Sequence, residues 1–181
     1  MLKLDIQRFA DGETEVVTNN ETEVMTYDEA HYLDIGTSTT PDIELMNVGI
    51  TQLNENSNPI EKSIQYIGDK SVSNKVTGYD NQFPITSDLI KNNDVVEALY
   101  NVFRERKTGA EAKFDYYIVE LWNETSTAGT YRARKITVSA VIESKENNPG
   151  ETITFSGTLK GIGDFKYGTF ATATKQFTEN A

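Results

Sequence analysis

Two stretches in the C-terminal half alternate strictly between apolar and polar residues, and this period of two constrains the fold more than any other feature. In "YRARKITVSAVIES", Ile136, Val138, Ala140 and Ile142 alternate with Thr137, Ser139 and Glu143. In "ETITFSGTLKGIG", Ile153, Phe155 and Leu159 stand against Thr152, Thr154, Ser156, Thr158 and Lys160. Side chains on a strand point alternately to its two faces, so each stretch is a strand with one dry and one wet face, the mark of an antiparallel sheet. The intervening "KENNPGE", rich in Asn, Pro and Gly, is a turn.

Other segments fit round this pair. "FDYYIVELW" carries Phe114, Tyr116, Ile118 and Trp122 on one face and Tyr117, Val119 and Leu121 on the other, so it predicts a central strand with Trp122 in the core. "DIELMNVGITQLNE" predicts a first strand, "NENSNPIEK" a loop, "KSIQYIGD" a short strand and turn, and "KSVSNKVTGYDNQ" a second irregular piece. In "FPITSDLI", Pro84 donates no hydrogen bond, which points to an edge strand or a strand's first residues. A hairpin turn is expected at Gly163-Asp164, followed by a last strand "DFKYGTFATA" and a fraying tail "TKQFTENA".

One helix is expected over about 94–107. Asn93 or Asp94 is its N-cap, Asp94 and Glu97 suit its positive start, Arg104, Arg106 and Lys107 suit its negative end, and Gly109 fits the left-handed position beyond it. Val95, Val96, Leu99, Val102 and Phe103 form a stripe able to cover a sheet. The whole reads as a mainly β protein, an antiparallel sandwich or barrel of roughly seven strands packed on one helix.

Charge divides the chain unevenly. Of a net charge of −11, residues 11–34 supply eight carboxylates and no Lys or Arg. An acidic N-terminal arm over 1–40 and a β domain over 41–181 follow from this. The arm mixes its acids with Val16, Val17, Val24, Met25 and Tyr27, and two readings stand: a segment that docks on a neighbouring subunit, or a permanently disordered tail.

Several function classes find no support. An excess of acid disfavours tight binding to a phosphate backbone, which rests on Lys and Arg displacing counterions. With no Cys and a single histidine, His31, a structural zinc site lacks ligands, a disulfide framework is impossible, and no nucleophile and base stand in a recognised pattern. "GIGDFKYG" has Lys166 where a dinucleotide fingerprint needs Gly. "DGETEVVTNNETE" lacks the calcium-loop spacing. No apolar run is long enough to cross a bilayer, and the chain is expected to be soluble, unexported, without cofactor or metal, and not an enzyme.

The order of the pieces resembles the major tail proteins, or tail tube proteins, of long-tailed bacteriophages. The resemblance is carried by "IELMNVGITQLNE", then "SIQYIGDKSVSNKVTGYDNQFPI", the helix ending "FRERKTG", "FDYYIVELWN" and the closing "TITFSGTLKG", over roughly 42–170. The opening "MLKLDIQRFA" is similar to the leader of some phage structural proteins of Gram-positive hosts. The resemblance implies a subunit of the virion tail, assembled in the host cytoplasm, that forms hexameric rings stacked into a tube for DNA delivery. Its implied partners are further copies of the chain, a tape measure protein, a tail terminator and a baseplate initiator, with DNA passing unbound through the lumen.

On that footing the wet faces of 135–144 and 151–160 are lumen candidates: Thr137, Ser139, Glu143, Thr152, Thr154 and Ser156. The loops over 54–63 and 68–82 are candidates for contacts between rings, with Asn54, Asn56, Asn58, Lys70, Ser73, Lys75 and Tyr79. A β-sandwich module binding carbohydrate or a host surface, using Trp122 and exposed tyrosines, is the alternative.

Overall fold

The computed structural model describes residues 22–37 and 39–180. Among them lie β1 (Glu29–Asp34), β2 (Ile43–Leu45), β3 (Ile50–Leu53), β4 (Pro59–Ile64), β5 (Ser73–Tyr79), β6 (Gln82–Asp88), α1 (Asp94–Glu105), β7 (Lys113–Glu124), β8 (Thr130–Glu146), β9 (Thr154–Ala171) and β10 (Gln176–Glu179). The fold is mainly β with one helix, as the alternation requires. Residues 11–21 of the acidic segment, with four of its eight carboxylates, lie outside the described residues.

One antiparallel sheet runs in the order β2-β1-β7-β8-β9-β6-β3, with β10 also on β9. Its end strands β2 and β3 are joined by residues 46–49 alone. Seven flat strands would hold those ends nearly 30 Å apart at about 4.8 Å per step. A link that short spans less than about 20 Å, so the sheet has to curl. β8 and β9 form its spine: β7 flanks the first part of β8, while β9 carries β6 along 154–160 and β10 along 168–171.

The curl creates two cores on opposite faces. Leu33, Phe83, Ile85, Tyr116, Ile118, Ile136, Val138, Phe155 and Leu159 pack under Val95, Val96, Leu99 and Val102 of α1. On the other face Tyr32, Tyr117, Val119, Ala133 and Phe170 pack together, with Phe177 of β10 against them. Lys175, just ahead of β10, reaches β2, its Nζ 2.6 Å from Glu44 Oε1. Strand β7 therefore buries both parities, as its sequence predicts.

α1 begins where expected, with the Asn93 side chain accepting from Val96 N–H at 3.0 Å. It ends at Glu105, short of the expected 107, because Arg106 takes the left-handed conformation at φ 54° and Gly109 starts a separate turn. Residues 42–55 are two strands at opposite ends of the sheet rather than one. Pro84 sits third in β6 between β9 and β3. Its carbonyl accepts from Asn54 N–H, so its nitrogen also faces β3, where the ladder ends at Leu53 and no donor is missed.

Gly163-Asp164 is not a hairpin turn. β9 runs through it as a bulge, with Lys135 opposite Lys166 but Thr137 opposite Ile162, and Gly163 at φ 77° absorbing the extra residues. The tail does not fray over 176–179, where β10 pairs with β9. β1 pairs with β7 and lies on the arm side of the boundary expected at 40/41.

Candidate assembly surfaces

The β8–β9 register brings four of the lumen candidates onto one face, away from α1. Thr137 is opposite Ile162, Ser139 opposite Lys160, and Ser156 and Thr154 opposite Ser144 and Glu146. Ser144 Oγ and Ser156 Oγ are 2.8 Å apart. Glu143 stands in a second bulge, where Ile142 faces Gly157 and Ser144 faces Ser156. Thr152 precedes β9 and belongs to no strand.

The same face carries charge that the two alternating stretches alone did not reveal. Lys113 lies opposite Ser139, Asp115 opposite Thr137, and Lys135 opposite Lys166. Asp115 holds Lys135 Nζ at 2.7 Å and accepts from Thr137 Oγ1 at 2.7 Å, while Lys166 Nζ is 2.9 Å from Glu179. Lys135 stays charged, its pKa raised by the Asp115 carboxylate against the cost of burial. No single strand shows these lysines together, because their rungs depend on pairing register.

The ring-contact candidates gather on one feature. The segments expected as loops over 54–63 and 68–82 contribute to a hairpin, β4–β5, that pairs with no other strand among the described residues. Asn54, Asn56 and Asn58 lead into it from β3: Asn54 bonds Pro84, Asn56 bridges Gln82, and Asn58 Nδ2 donates to Asp80 O at 3.0 Å. Lys70 lies in its tip loop, and Ser73, Lys75 and Tyr79 lie on β5. No residue of the hairpin belongs to either core, and Ile60, Tyr66, Ile67, Val72, Val76 and Tyr79 are all exposed. Monomers seldom leave such a set in water, and a two-stranded hairpin alone is marginally stable.

A cleft of about 640 Å³ opens at the seam of the curl, where the β1–β2 end meets β3. Leu45, Met46, Ile50, Leu53 and Leu121 give it apolar walls, and Glu29 and His31 stand beside them. His31 Nδ1 is 2.7 Å from the hydroxyl of fully buried Tyr116, and its Nε2 is 3.4 Å from Glu29 Oε1. A neutral ring with its proton on Nε2 satisfies both contacts, accepting from Tyr116 and facing the carboxylate with N–H. Burial pushes the His31 pKa down to about 4. Burial raises that of Glu29, with Arg134 opposing and Glu55 and Glu120 adding to it.

Behind them Arg134 makes a two-pronged pair with Glu55, at 2.9 Å on both arms, and lies over the Phe165 ring. Glu55 comes from the segment leading to the hairpin, so this pair ties the hairpin's root to β8. No group of three or more His, Asp or Glu side chains able to hold a metal occurs among the described residues. None of their helices is long and apolar enough to cross a membrane. Trp122 is 46% exposed within the β7 irregularity rather than in the core, since the register shifts between Glu120 and Glu124.

No family model and no curated protein matches the sequence. Solved structures do. The SPP1 tail tube, determined by solid-state NMR and cryo-EM, matches with a TM-score of 0.59 at 14% identity, covering 78% of this chain and 77% of that one. The chain has the tail tube fold. The tail of an empty gene transfer agent particle, from helical refinement with C6 symmetry, matches with a TM-score of 0.54 at 9% identity over 80% of this chain and 98% of the other. A native gene transfer agent virion gives 0.56 at 9% identity with the same coverage. At these identities the tail tube fold is what is shared.

Proposed function

We propose that this chain is the structural subunit of a phage tail tube, closing into hexameric rings that stack into a channel for DNA delivery. The observation that carries the reading is the tail tube fold, matched across most of the chain by proteins solved within tubes and virions. The open strand edges of β2, β3 and β10 and the uncovered β4–β5 hairpin support it, since both are surfaces that a closed monomer would hide. The subunit works in the virion tail after assembly in the host cytoplasm, beside a tape measure protein, a terminator and a baseplate initiator.

In this reading Thr137, Ser139, Thr154 and Ser156 face the channel, with Glu143 and Thr152 at its margin. Each lysine free to meet phosphate adds affinity and slows transit. Lys135 and Lys166 are held by carboxylates on their own chain, which lessens that grip. The subunit does structural work and no catalysis.

Sedimentation at rising protein concentration tests the assembly. Large particles are expected for the intact chain, and a folded monomer after residues 59–79 are replaced by a short linker. A persistent monomer that binds glycans through Trp122 would favour a binding module instead.

A further inference from the structure

The hairpin and the seam cleft fit one another as knob and hole. At the hairpin tip Tyr66 is 67% exposed and Ile67 fully so, and neither meets a core in its own chain. The cleft, with room for two side chains of that size, has walls formed by Leu45, Met46, Ile50 and Leu53. We infer that Tyr66 and Ile67 of one copy seat in the cleft between β1–β2 and β3 of a second copy. This rests on the tail tube reading and names the receptor for its hairpin.

Charge favours this partner. Residues 59–79 carry Lys62, Lys70 and Lys75 against Glu61 and Asp69, a net +1 in a chain of net −11. Among the residues that line the cleft, Glu29 is the charged one, and no Lys or Arg stands with it. A hairpin of net positive charge thus meets a cleft whose charged lining residue is a carboxylate, which favours this contact over hairpin against hairpin. Knob and hole lie at different places on one chain, so the contact is heterologous and repeats from copy to copy instead of closing a pair.

The connection also reaches inside the subunit. Glu55 stands between β3, a wall of the cleft, and the root of the hairpin, held by Arg134. Filling the cleft of one copy therefore bears on the segment from which that copy's own hairpin projects.

The native chain has no Cys, so single cysteines report contacts cleanly. Gln52→Cys places a thiol on an exposed residue of the cleft, and Ile67→Cys places one at the tip. On mild oxidation a mixture of the two proteins should give a disulfide-linked dimer, whereas each alone should not; the doubly substituted chain should give a covalent ladder. Ile67→Asp should raise the concentration needed for assembly on the order of tenfold while leaving the circular dichroism of the monomer unchanged.

Assembly by sedimentation without the mixed disulfide would overturn the cleft as receptor and leave the tube reading standing. Self-linking of Ile67→Cys alone would overturn it too, by showing tip against tip. Absence of any assembly at working concentration would remove both.

Discussion

Acidification from pH 7 to pH 4 should weaken the fold through His31, and the structure gives the size of the effect. Burial lowers its pKa from 6.5 to about 4 in the folded chain. Between those values the unfolded chain holds a proton that the folded chain refuses, so stability falls as pH falls. At about 1.4 kcal/mol per unit, a difference of two and a half units amounts to ~3 kcal/mol, a large share of the 5–15 kcal/mol of a typical domain. Protonation of Glu29, whose pKa is raised, acts in the opposite sense near the acid end of this window. Comparison with His31→Gln, which keeps an acceptor for Tyr116, cancels the carboxylates shared by both proteins. Urea unfolding of dilute monomer at several pH values should show the advantage of native protein over variant shrinking by ~3 kcal/mol between pH 7 and pH 4. An advantage that stays constant with pH would mean that His31 titrates normally, and the burial of its ring would have to be abandoned.

Three further outcomes are expected. Gly168→Ala should loosen β10, because the new Cβ would overlap the Thr178 carbonyl; limited proteolysis should then cut near the C-terminus, with a loss of ~1–3 kcal/mol in unfolding experiments. Asn93→Ala removes the cap on Val96 N–H and should cost about 1 kcal/mol in the same assay. Thr154→Cys in assembled particles should resist a reagent too large for the bore while reacting readily in the monomer; equal reaction in both would place the β8–β9 face outside the channel.

The legible parts of the fold were those where one local pattern was enforced by one environment. β8 and β9 each have a buried and a wet face, so their alternation is strict, and α1 has its apolar stripe, acidic start and capping Asn93 in agreement. β1 was hidden because Tyr32 and Leu33 are buried on opposite faces of a strand flanked by β2 and β7, which erases the period of two. β5 and the start of β4 were hidden for the opposite reason: both faces are wet, so Glu61, Asn74 and Lys75 read as loop. A Gly-Asp pair reads as a turn whether the chain reverses there or merely bulges, and only the pairing of Lys135 with Lys166 decides for the bulge. Of the candidate surfaces, the hydroxyl face was readable strand by strand. Its lysines, the seam cleft and the Arg134–Glu55 pair arise from contacts between distant segments, which no local window contains.

The central claim concerns copies joined side by side around an open axis, and electron microscopy of the purified chain at assembling concentration tests it most directly. Rings or tubes with a hollow centre and sixfold end views are the predicted image. Uniform compact particles of single-chain size at every concentration would contradict it.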